Sequence, residues 1–281
     1  MPHRPRRALT AIATALAAAV VPLLASTAAS AQSSVHYVAL GDSYSSGLGA
    51  GSYLPASGSC DESTKAYPAL WAGANQPASY VSETCAGATT SDVINSQVSA
   101  LSAATTLVSI TIGGNDVGYI PLLMAAALPH SLRRLPLLGD RISELLDRQA
   151  RDRALDAVFE SLCAVGRTLR QRSARARIFF VDYLTILPPP GVPAEPLSPS
   201  DADLGRHVAA ALETMTADAA AATGCEVIRA AAAGREHHAW SVEPWTTLPA
   251  RLGIPLPGRP APLHPNAAGM RAVADLIAAQ L

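Results

Sequence analysis

The sequence predicts a three-layer α/β/α fold around a mostly parallel sheet of about five strands. Three observations lead there. Short apolar and β-branched runs alternate with helical patterns from residue 35 to the C-terminus, the rhythm of a parallel sheet crossed by helices. The runs are apolar enough to be buried strands. The turns behind them hold the residues with the most chemistry, and parallel sheets place their ligand sites beyond the C-terminal strand ends. No repeat period is visible.

The elements follow in order. Val35–Leu40 is a buried first strand ending at Gly41. Ala66–Ala74 has a helical pattern, Ser79–Val81 reads as a short strand, and Ser91–Leu101 reads as a helix with Ser91 as its cap. Leu107–Ile112 is a strand running into Gly113-Gly114. Asp140–Arg172 is a long helical region with apolar residues such as Ile142, Leu145, Leu155, Val158 and Leu162 at helical spacing. Arg177–Val181 is a strand, and Pro188–Pro199 is a proline-rich loop. A helix opens at Asp201 and reaches about Ala222, Glu226–Ile228 is the last strand, residues 231–263 are loop-rich, and a helix spans about Asn266–Ala279.

Composition narrows the function. Of 281 residues, 49% are hydrophobic and 15% charged, which excludes intrinsic disorder. A net charge of −1 gives nucleic acid no basic face to bind. Arg4, Arg6 and Arg7, the apolar stretch 8–28 and Ala29-Ser30-Ala31 form the three parts of an export signal. Pro22 interrupts the apolar run, which disfavours a membrane anchor. Residues 1–31 are therefore expected to be removed, leaving 32–281 as one domain outside the cell, with a net charge of −4.

Three segments fall at the chemically favoured places. Gly41-Asp42-Ser43 follows the first strand, Gly113-Gly114-Asn115-Asp116 follows the strand at 107–112, and His264-Pro265-Asn266 precedes the last helix. Each alone is an ordinary turn or helix start. Together they supply a hydroxyl nucleophile, an amide donor and an imidazole base, the set that acyl transfer requires. The Gly-x-Ser-x-Gly elbow is absent.

The stretch Tyr37–Gly47, with Thr64–Pro68 and Cys85–Thr90, resembles the secreted bacterial lipase/esterase branch of the SGNH (GDSL-type) hydrolases. The similarity spans most of 35–116 and returns at 263–269; residues 117–175 and 231–262 share it much less. It implies a flavodoxin-like hydrolase fold and a serine esterase or lipase with Ser43 as nucleophile and His264 as general base, then acid. The oxyanion hole would be the Ser43 and Gly87 backbone N–H groups and the Asn115 amide. A side chain at position 87 would obstruct the substrate, and Asp42 fits a structural role in its turn. No metal or organic cofactor is expected. The expected partner is a small or lipid ester, with transient contact at lipid interfaces, and the expected state is a monomer.

One departure matters. Members usually carry an Asp three residues before the His, where this chain has Ala261. A main-chain carbonyl, with that of Ala261 the first choice, is expected to orient His264; Glu243 and Asp275 are the acids to exclude. The same departure motivates a non-catalytic binding module as an alternative. A polysaccharide deacetylase is the rival enzyme, favoured if Trp240 and Trp245 line an open groove.

Four cysteines allow three pairings. The resemblance favours Cys60–Cys85 and leaves Cys163 with Cys225. The absence of Cys-x-x-Cys disfavours structural zinc, and the adjacent His237-His238 pair does not place two ligands on one helix face. Residues 119–138 are rich in leucine and read either as helices packed on the domain or as an apolar wall or mobile flap beside the site.

Overall fold

The computed structural model describes residue 1 and residues 34–134, 139–249 and 261–281. Most of the expected export segment therefore lies outside the described residues. Strands β1 (His36–Gly41), β2 (Ser79–Ser82), β3 (Leu107–Thr111), β4 (Arg177–Val181) and β5 (Glu226–Ile228) form one sheet. Its order is β2-β1-β3-β4-β5, and every pair is parallel. The chain steps from β1 to one side and then to the other, so the switch point lies between β1 and β3, where such sheets bind ligands. Gly41 pairs with Thr111, which ends these two strands level and sets their following turns side by side.

Burial explains why the strand sequences lack alternation. Phe179 and Phe180 point to opposite faces of β4, and both are fully buried. The sheet is covered on both sides, and each such ring contributes on the order of 1.5–3 kcal/mol of transfer free energy. The covering helices are α1 (Ser43–Ser46), α2 (Tyr67–Asn75), α3 (Thr90–Asn95), α4 (Tyr119–Ala126), α5 (Gly139–Leu146), α6 (Arg148–Arg172), α7 (Pro199–Ala222), α8 (Ala230–Ala233) and α9 (Ala267–Gln280). Helix α2 packs on α9, and α6 packs on α7 and α3. The buried stripe of α6 is Arg151, Leu155, Val158, Leu162, Val165 and Leu169, alternating four- and three-residue steps.

The expected helix over Asp140–Arg172 is two helices. Asp147 is extended and its carboxylate accepts from the N–H groups of Gln149 and Ala150 at 3.1 and 3.3 Å, which starts α6 afresh. The helix expected from Ser91 begins one residue earlier. Thr89 caps it reciprocally with Asp92, and it gives way after Asn95 to a 3₁₀ turn over Gln97–Ala100. Helix α7 likewise starts at Pro199 on a Ser198 cap. Within 119–138, α4 buries Tyr119, Leu122 and Leu123 and packs on α7 and α5, so it is a packed helix; residues 135–138 lie outside the described residues.

Cys60 and Cys85 are joined by a disulfide. The pairing of Cys163 with Cys225 is not formed, and both are free thiols. Cys163 is buried on α6, whereas the Cys225 sulfur turns to the Thr223 hydroxyl at 3.4 Å.

Candidate active site

Ser43 is the first residue of α1, directly after β1. Asp42 caps that helix, and its Oδ1 accepts from the Tyr44 N–H at 2.9 Å. The Asp42 N–H donates to the Thr111 carbonyl at 2.9 Å, which ties the turn to the end of β3. Gln97 clamps the residue before: its side-chain oxygen accepts from the Gly41 N–H at 2.7 Å and its amide donates to the Gly41 carbonyl at 3.0 Å.

His264 arrives from the other end of the chain. Its Nε2 lies 2.9 Å from Ser43 Oγ, and its Nδ1 lies 2.8 Å from the Pro262 carbonyl. A carbonyl only accepts, so Nδ1 carries the proton and Nε2 is left to accept from the serine hydroxyl. The expected Ala261 carbonyl is thus corrected to Pro262. Leu263 adopts φ +61, turning the chain so that the Pro262 carbonyl faces the ring, while the Ala261 carbonyl accepts from the Thr247 hydroxyl at 2.6 Å. The Tyr44 hydroxyl holds the Leu263 carbonyl at 2.7 Å, and the Leu263 N–H donates to the Thr247 carbonyl at 3.1 Å. Glu243 and Asp275 are exposed and make no bond to the ring. Burial pushes the His264 imidazole down to about 4, with the Pro262 carbonyl opposing, so the ring is neutral at pH 7 and able to take a proton.

The third group comes from the turn after β3. The Asn115 amide donates to the Ala88 carbonyl at 2.8 Å, and Asp116 accepts from the Thr90 N–H at 3.1 Å and from its hydroxyl at 2.5 Å. These bonds hold the loop that contains Gly87. Gly87 has φ +83, which disfavours any other residue, and open space where a side chain would project. Among the described residues, the Ser43 and Gly87 N–H groups have no hydrogen-bond acceptor in the protein. The disulfide secures the same loop through Cys85, and the Ala86 N–H donates to the Cys60 carbonyl at 3.0 Å.

Tyr183, two residues past the end of β4, joins two of these turns. Its hydroxyl accepts from the Gly114 N–H at 2.7 Å and donates to Asp42 Oδ2. Burial pushes the Asp42 carboxyl up to about 7, against the bonds from Tyr183 and Tyr44. Residue pattern alone points to neither Tyr183, Gln97 nor Pro262. The first two sit in unremarkable apolar or polar runs, and the third acts through its backbone. Trp245 stacks on His237 with centroids 4.1 Å apart, and the Trp240 indole donates to the Glu195 carbonyl at 3.0 Å, so both rings are engaged within the protein.

The GDSL-like lipase/acylhydrolase family matches residues 39–272. The lipase of Streptomyces rimosus is 40% identical over 192 residues, covering 60% of this chain and 72% of that one. Phospholipase A1 from Streptomyces albidoflavus NA297 superposes with a TM-score of 0.75 at 32% identity, over 87% of this chain and 98% of that one. The crystal structure of the extracellular lipase from Streptomyces rimosus gives 0.74 and 31%, over 88% and 100%. The family match over residues 39–272, with the likeness to these lipases, places this chain in the GDSL-like lipase/acylhydrolase family as a carboxylic ester hydrolase.

Proposed function

We propose that the chain is a secreted lipase or esterase that works through an acyl-enzyme on Ser43. The observation that carries this reading is the ordered line from the Pro262 carbonyl through His264 to Ser43 Oγ. Ser43 attacks the ester carbonyl as His264 Nε2 takes its proton. The same nitrogen then protonates the leaving alcohol, and water resolves the acyl-enzyme by the reverse route. The oxyanion is held by the Ser43 and Gly87 N–H groups and by the remaining proton of the Asn115 amide. A neutral carbonyl orients the ring as a carboxylate does, with less stabilisation of imidazolium.

The preferred substrates are lipid esters such as acyl-glycerols. A largely apolar cavity of about 280 Å³ is lined by Tyr119, Tyr183, Leu184, Ile186 and Leu187, with Arg206, Glu213, Arg235 and Glu236 also on its wall, and its apolar share suits an acyl chain better than a sugar. The expected export signal at 1–31 and the likeness to the extracellular Streptomyces rimosus lipase support secretion; among the described residues no helix is long and apolar enough to cross a membrane. The test is a p-nitrophenyl ester series from acetate to long chains, with Ser43→Ala as control. The expected result is a preference for chains longer than acetate and a loss of several orders of magnitude in the control. A control retaining more than about a tenth of wild-type turnover overturns the nucleophile, and activity confined to acetyl esters overturns the lipid reading.

A further inference from the structure

We propose that Tyr183 is a positioning residue for ester hydrolysis, its hydroxyl fixing the turn that carries Asn115 against the turn that carries Ser43. The inference rests on the roles assigned above to those two residues. Tyr183 belongs to neither catalytic turn; it lies two residues past the end of β4 and bonds to both. An N–H can only donate, so the phenolic oxygen accepts from Gly114, and the single phenolic proton goes to Asp42 Oδ2. Asp42 uses its other oxygen to cap α1 through the Tyr44 N–H. One oxygen atom of Tyr183 therefore bridges the residue before Asn115 and the residue before Ser43.

The ring extends the same role to the base. Tyr183 packs edge-on against Tyr44 with centroids 4.9 Å apart, and Tyr44 lies 5.3 Å from the His264 ring and holds the Leu263 carbonyl. A single side chain thus touches the neighbour of the nucleophile and that of the amide donor, together with the tyrosine that supports the base. Burial keeps the phenol protonated, so it has a proton to donate to Asp42. Close contact leaves no slack: a methyl group on Gly114 would stand 2.9 Å from the Tyr183 Cζ and oxygen. Acyl transfer is sensitive to such placement, since a misplacement of about 1 Å can cost roughly a hundredfold in rate.

The experiment compares wild type, Tyr183→Phe, Asn115→Ala and the double variant on a short p-nitrophenyl ester. Tyr183→Phe keeps the ring and removes only the bridge. The expected result is a fall in kcat of about tenfold to a hundredfold with KM within about twofold, and a double variant faster than the product of the two single effects, because the hydroxyl acts partly through Asn115. Should Tyr183→Phe fail to fold, Gly114→Ala pushes the phenol off its partners and is expected to give the same selective loss of kcat. Wild-type kcat in the folded variant, a loss confined to KM, or fully multiplicative effects would each overturn the inference. Asn115→Ala at wild-type turnover overturns the oxyanion reading instead, which separates the two failures.

Discussion

His264 combines a low proton affinity with a neutral partner. Burial is the dominant cause, and the Pro262 carbonyl restores only part of what desolvation removes. The groups that face the ring are the Ser43 hydroxyl and the Tyr44 ring, neither of them an anion at neutral pH. The ring is therefore neutral from pH 7 down to about pH 4. The acid limb of kcat/KM should be flat between pH 7 and about 5 and fall below about 4, with Glu243→Gln and Asp275→Asn leaving it unmoved. A half-loss near the ordinary histidine value that shifts in either amide variant would show that a charge governs the ring. The candidate residues Ser43, His264 and Asn115 were legible in the sequence, because their chemistry is in their side chains. The carbonyl that holds the ring was legible only as a class: choosing Pro262 over Ala261 requires the left-handed turn at Leu263, which a leucine does not advertise.

Elements bring distant residues to the site, and caps decide where they start. Asp147 and Thr89 moved two helix boundaries because a side chain bonded to free N–H groups outweighs continuous periodicity. The inner strands β1, β3 and β4 needed no such correction, since residues buried on both faces leave an unambiguous apolar run, whereas the edge strand β2 is largely exposed. The loop carrying Gly87 is held by the Asn115 and Asp116 side chains and by the Cys60–Cys85 bond, which closes a separation of 25 residues. Under the chain-entropy model, a link of that length stabilises by about 3.5 kcal/mol. Thiol titration of the denatured, unreduced protein should give two reactive groups, Cys163 and Cys225, and four after reduction. No reactive thiol before reduction would restore the second pairing. Replacing Cys60 and Cys85 together by serine should lower stability by roughly the same 3.5 kcal/mol.

For the whole molecule, the order β2-β1-β3-β4-β5 explains why the turns carrying residues 43 and 115 lie side by side, while residue 264 reaches Ser43 from the far end of the chain. The first two follow the strands on either side of the switch point, and the third comes from the turn into α9, whose cap Asn266 accepts from the Ala268 and Gly269 N–H groups at 2.9 and 3.0 Å. The alternation of strands and helices made this architecture readable, while the packing beneath the turns, with Tyr183 bridging two of them, appears only when β4 is set beside β3. Removal of residues 1–31 is a separate expectation. N-terminal sequencing of protein recovered from the culture medium should begin at Gln32. Intact Met1 on cell-bound protein would contradict export by cleavage.

Ser43 Oγ is the atom expected to be acylated during turnover. Peptide mapping by mass spectrometry after inactivation with a p-nitrophenyl alkylphosphonate, which forms a stable ester with an activated serine, addresses it without inference from rates. One adduct per chain is expected, on the peptide containing Ser43, with inactivation proportional to labelling. An adduct on any other residue at full inactivation, with Ser43 unmodified, would contradict it.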